Sequence, residues 1–124
     1  MPVEYQIDHE NQFVHARAHG VVALGEILEY FDAVTIHDAA SYRKLFDARE
    51  AIPWLSDDDF MVLAARVSAY AAFEPLGAIA FVATKPEATM AFQRYANFLG
   101  GEDRPTRLFE TVEHARAWLM DSNG

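Results

Sequence analysis

The stretch Ala78-Ile79-Ala80-Phe81-Val82-Ala83 is apolar at every position. It is too short for an ordinary helix and carries β-branched and aromatic residues at its centre, so it reads as a strand. A strand with no polar alternation is buried on both faces, the habit of a central strand in a parallel sheet. A parallel neighbour is reached only through a crossover, usually a helix. The chain on either side should therefore alternate strands with amphipathic helices.

The rest of the sequence follows that pattern. Val3 to Asp8 and Gln12 to His19 alternate apolar and polar residues around the polar turn His9-Glu10-Asn11, which predicts a hairpin. Val14, Ala16 and Ala18 share one face of the second strand, and Phe13, His15, Arg17 and His19 the other. Gly20 is expected to break it. Leu24, Ile27, Leu28, Phe31 and Val34 then fall at helical spacing. Arg43 to Ala48 reads as a short buried strand, and Arg49 to Leu55 as a loop carrying Ile52-Pro53-Trp54-Leu55. Ser56 with Asp59 three residues on is a capping-box start for a helix to about Ala72. Pro86 sits in the first turn of the next helix, where its missing N–H costs nothing, and Gly100-Gly101 is expected to end that helix. Thr106 to Phe109 is a last short strand. Thr111 caps a helix with Val112, Ala115, Trp118 and Leu119 inward, and Asp121 to Gly124 reads as a frayed tail.

The order is β-β-α-β-α-β-α-β-α, an α/β fold with a mixed sheet of about five strands and right-handed crossovers, expected to form one domain over residues 1–124. The chain has no cysteine, so disulfides, thiolate metal sites and a cysteine nucleophile are excluded. A formal charge of −9 would repel a phosphate backbone, which argues against nucleic acid as a partner. Met1 to Tyr5 runs straight into strand alternation without a signal core, and no segment approaches the length of a membrane span. The expectation is a cytoplasmic protein without a membrane anchor.

Four stretches carry a family resemblance: the opening hairpin ending at Gly20-Val21-Val22; Tyr42 to Arg49; the helix start Leu55-Ser56-Asp57-Asp58-Asp59; and Phe109 to Leu119. With the element order, they resemble the SpoIIAA-like family, a branch related to STAS domains. The resemblance implies a mixed sheet whose helices lie largely on one side. It also implies action by binding protein partners, in some members switched by phosphorylation of a serine at the start of the second helix. In that pattern the third strand ends in Asp-Ser. Here Asp47 matches the aspartate, but Ala48 stands in the serine's place and Ser56 is the only serine near that helix start. Some relatives are STAS/SEC14-like, which implies a small apolar ligand by analogy of fold.

Few residues suggest chemistry by their spacing. His15 and His19 lie on a strand about 13 Å apart, too far to share one ion. Asp57, Asp58 and Asp59 point in different directions on a helix and serve its dipole rather than a cation. Asp47 with His37 or His114 could act as an acid–base pair, yet no G-x-S-x-G, Walker or dinucleotide motif accompanies them. No metal or other cofactor is expected. Strand carboxyl ends form the usual crevice of such sheets, so Asp47, Arg49, Trp54, Ser56 and Thr84 are the candidate ligand residues. Asp47 and Arg49 serve that crevice or simply pair with each other. The Trp54 loop is a core flap or a lid.

The helix after Ser56 is apolar nearly all round. Phe60, Leu63, Ala64, Val67 and Ala71 form its inward stripe, and Met61, Val62, Ala65 and Ala69 remain for another surface. A face like that is normally covered. The leading expectation is a non-catalytic binding or regulatory module that forms a homodimer through Met61, Val62, Ala65 and Ala69, with a further protein partner conceivable. The alternative is a carrier or sensor of a small apolar ligand held beneath the Trp54 loop. An enzyme using Asp47 or a histidine ranks third.

Overall fold

In a computed structural model, which describes residues 2–99 and 105–121, the elements follow the order expected. They are β1 (Val3–Asp8), β2 (Phe13–Val22), α1 (Leu24–Ile36), β3 (Arg43–Pro53), α2 (Asp57–Ala71), β4 (Ile79–Val82), α3 (Pro86–Leu99), β5 (Thr106–Phe109) and α4 (Val112–Asp121). The five strands lie side by side in chain order. β1 pairs antiparallel with β2, and every later neighbour is parallel. The expected helix stop at Gly100-Gly101 lies outside the described residues, as do residues 122–124 of the expected frayed tail; Asp121, expected to begin that tail, is the last residue of α4.

Strand alternation sorts the core into two layers. Val14, Ala16 and Ala18 of β2 and Phe46 of β3 face Tyr30 and Val34 of α1. α2 and α3 continue that layer through Phe60, Leu63, Val67 and Tyr95. On the opposite face Phe13, Leu45, Ala80 and Val82 meet Ala115 and Leu119 of α4. Among the described residues three helices thus cover one side, and α4 alone covers part of the other. β4 is buried on both faces, as its unbroken apolar sequence requires.

The helix starts match their local chemistry. Ser56 Oγ accepts from Asp59 N–H at 3.1 Å, and the Asp59 carboxylate accepts from Ser56 N–H at 3.0 Å. Thr111 Oγ1 accepts from His114 N–H at 3.1 Å. α1 lacks a capping side chain at Ala23, and Glu26 makes only the return half of a capping box by accepting from the Ala23 N–H at 2.8 Å. Between α1 and α2, Asp32 accepts from Arg66 at 2.7 Å and from the Tyr70 hydroxyl. The Tyr70 bond first and Arg66 next hold the Asp32 carboxyl below its ordinary pKa, against the opposing effect of burial.

Two expectations need correction. Gly20 does not end β2. It takes a positive φ of 71° inside the strand, just past a register shift between Arg17 and His19. The segment after Arg49 is not a loop either. β3 continues to Pro53, pairing Glu50, Ala51, Ile52 and Pro53 with His19, Gly20, Val21 and Val22. That half of β3 has β2 on one side only, since β4 pairs no further than Asp47. Proline is tolerated there as on an edge strand. The result is a two-stranded ribbon projecting beyond the carboxyl end of β4.

Candidate functional site

Arg17 pairs with Asp47 and His19 with Glu50, so two residues of β3 oppose one of β2 at Ala48-Arg49. This is a bulge, and it resets which residues face which side. Before it, Leu45 and Asp47 face α4. Beyond it, Ala51 and Pro53 face α1–α3, while Glu50 and Ile52 turn to the α4 side.

On the α4 side a polar group forms around Asp47, whose side chain is 5% exposed. Arg49 donates to both carboxylate oxygens, from Nε at 2.9 Å and from the guanidinium tip at 2.7 Å, and adds its backbone N–H at 3.1 Å. Burial alone would raise the Asp47 pKa. The bonds and charge of Arg49, with help from His15, outweigh it and hold the carboxyl below its ordinary value. His15 approaches Arg116 of α4 at 3.1 Å. Burial first, and then the Arg116 charge, lower the His15 pKa. Of the two readings of Asp47 and Arg49, the geometry shows the local pair. His15 and Arg116 stand beside the pair, and among the described residues no serine, threonine or cysteine is recorded in contact with it. Among the described residues no group of three or more metal-ligating side chains is placed to hold an ion.

On the other face the sheet and its helices leave an apolar cavity of about 90 Å³. Its lining is hydrocarbon and aromatic throughout. Phe46 and Phe81 rise from the sheet, Phe31 comes from α1, Phe60 from α2, and Phe92 with Tyr95 from α3. Pro53 and Leu55 close the end under the ribbon.

The expected ligand residues do not converge. Asp47 and Arg49 lie on the face away from the cavity. Trp54 is neither flap nor lid: it is 75% exposed. Its N–H bonds Val22 O at 2.9 Å, which continues the ribbon, and the alternation that points Pro53 and Leu55 inward points Trp54 out. Ser56 is committed to the α2 cap, and Thr84 is exposed beyond β4. Leu55 of the apolar loop does reach the cavity. On β3 the bulge, invisible in one sequence, decides which of Ala48, Arg49 and Ala51 turn inward; the aromatic lining from Phe31, Phe46, Phe81 and Phe92 has the spacing of ordinary core residues and carries no separate signal.

The outward face of α2 stands as the helical spacing predicts. Met61, Val62, Ala65 and Ala69 are all exposed, Met61 at 54% and Val62 at 42%. Phe73, just past the helix end, continues the stripe at 89% exposure. Among the described residues of α2, Asp58 is the sole charged residue at an outward position of the helical spacing. Asp57 leans toward α3 and pairs with Arg94, while Arg66 leans toward α1. No helix among the described residues is long and apolar enough to cross a membrane.

The geometry has close structural parallels. A crystal structure of an uncharacterised DUF3478-family protein with a SpoIIAA-like fold, from Shewanella loihica PV-4, superposes with a TM-score of 0.61. It shares 16% identity, with 94% of this chain and 93% of that one covered. The fold is SpoIIAA-like. The anti-sigma factor antagonist SpoIIAA in its unphosphorylated form superposes with a TM-score of 0.58 at 13% identity, over 97% of this chain and 99% of that one. No family model and no curated protein sequence matches the chain. The resemblance drawn from the four sequence stretches therefore holds at the level of fold. At these identities the SpoIIAA-like parallels carry architecture and no residue roles.

Proposed function

We propose that this SpoIIAA-like domain is a non-catalytic binding and regulatory module that works by protein contact, and that its first partner is a second copy of itself. The observation that carries this reading is the outward face of α2. Met61, Val62, Ala65, Ala69 and Phe73 form one apolar stripe on the surface of a chain with a formal charge of −9. Two such chains repel over most of their surfaces. A stripe whose only charge is Asp58 at one end is where two copies meet without that repulsion. A two-fold axis across it is the commonest closed arrangement. One structural parallel is an anti-sigma factor antagonist, a protein that acts on another protein, which is consistent with a contact-based role. A cysteine-free chain suits a cytoplasmic setting.

Sedimentation velocity at micromolar concentration tests the proposal. The expected species has twice the 14.0 kDa mass of one chain. Val62→Glu combined with Ala69→Glu should return it to a folded monomer, because two carboxylates would then face two more across the axis. A wild-type monomer of 14.0 kDa at these concentrations would refute self-association.

A further inference from the structure

We infer that the cavity beneath the β2–β3 ribbon is a binding site for a small neutral hydrocarbon group no larger than a single ring. It is separate from the outward face of α2, and neither proposal depends on the other. The void is written into the sequence by alanine. Ala18 of β2, Ala48 and Ala51 of β3, Ala83 after β4, and Ala88 and Ala91 of α3 all line it. On the opposite face of the sheet the core is filled by larger side chains, Leu45 of β3 and Leu119 of α4, each almost wholly buried. Protein interiors are close-packed, and gaps larger than a water molecule are few. Six alanines from four segments gathered round one gap leave a shaped space instead of a packing fault.

Size and polarity set the ligand class. Sites for drug-sized molecules hold about 300–1,000 Å³. An engineered apolar cavity of about 150 Å³ stays dry and takes up benzene. A space of about 90 Å³ therefore admits one ring at most and excludes a long acyl chain. The wall offers aromatic faces from Phe46, Phe81 and Phe92 and no charged side chain, so a carboxylate or phosphate would be buried without a partner. Several lining residues, among them Phe31, Pro53, Leu55, Ala91 and Phe92, are only half-buried, so the space is not sealed from the surface.

Toluene is the probe, titrated into the whole chain carrying ¹³C-labelled alanine methyl groups. The expected result is saturable shifts of Ala48, Ala51, Ala83, Ala88 and Ala91, with Ala65 and Ala69 on α2 unmoved. Ala91→Leu adds three carbons to the space and should weaken toluene binding by about tenfold or more while the fold is kept. Should that variant fail to fold, Ala51→Val makes the same test from the strand side. Dodecanoate should give no saturable shift at these methyls. The inference is overturned if toluene leaves the lining alanines unmoved, if the folded filling variant binds it as well as the wild type, or if dodecanoate saturates the site.

Discussion

Gly77→Ala should destabilise this protein strongly, although the same change at Gly25 should help it. Gly77 lies between α2 and β4, and its N–H donates to Ala40 O at 3.1 Å. A Cβ added there would stand 2.1 Å from the Tyr42 carbonyl oxygen and 2.5 Å from that of Ser41. Both are backbone atoms, so no flexible side chain can yield. The Tyr42 carbonyl is also pinned, because the buried Lys44 ammonium donates to it at 2.7 Å and to Ala40 O at 2.6 Å. Overpacking of this kind costs about 1–3 kcal/mol, and losing the Gly77–Ala40 bond adds about 1 kcal/mol. The expected total is about 2–4 kcal/mol. With an unfolding entropy of about 2.1 cal/mol/K per residue over 124 residues, the midpoint should fall by about 8–15 °C. Gly25 is exposed on α1, and a Cβ there meets nothing within 4 Å, so Gly25→Ala should stabilise by about 0.5–1 kcal/mol through helix propensity. Thermal and urea unfolding followed by circular dichroism measures both. If Gly77→Ala lies within about 0.5 kcal/mol of wild type, the close approach is not a constraint and the reasoning fails.

Other outcomes follow from single contacts. Ser56→Ala removes the α2 cap and should cost about 1 kcal/mol by urea unfolding, whereas Ser56→Asp, which can also cap, should cost much less. The folded-state pKa of Asp47 lies below its unfolded value, so the stability it contributes is present above the unfolded value, about 3.9, and is lost as pH falls through the lower folded one. Asp47→Asn should therefore flatten the acid limb of the stability–pH curve, by about 1 kcal/mol given that Arg49 is half exposed. An acid limb unchanged in the variant would show that the pair contributes nothing.

Element order was legible in the sequence because three of the four helix starts carry their own chemistry within four residues, and the first helix shows by its apolar spacing from Leu24 to Val34. Ser56 with Asp59, Pro86 and Thr111 needed no tertiary information. The unbroken apolar run at β4 likewise states its own burial. The β2–β3 ribbon was not legible, because Gly20 and Pro53 are ordinarily punctuation, and only their pairing with Ala51 and Val22 shows that the strands pass through them. The outward stripe of α2 could be read directly, since helical spacing fixes which side chains oppose Phe60, Leu63 and Val67. The crevice could be placed at the strand ends but not assigned its residues. Alternation counted through Asp47 and Arg49 fails at a bulge, which moves Ala51 to the cavity side and leaves Asp47 and Arg49 as a pair behind it.

The most direct test of contact through α2 uses the absence of cysteine. Ala65→Cys puts one thiol per chain at the centre of the stripe, and His114→Cys puts one on α4, across the sheet. Each variant, spin-labelled at sub-stoichiometric density and measured by double electron–electron resonance, reports only distances between chains. A dimer through α2 predicts a single short distance for the label at 65 and a much longer one for the label at 114. The absence of an inter-chain distance at 65, or a shorter distance at 114 than at 65, would contradict it.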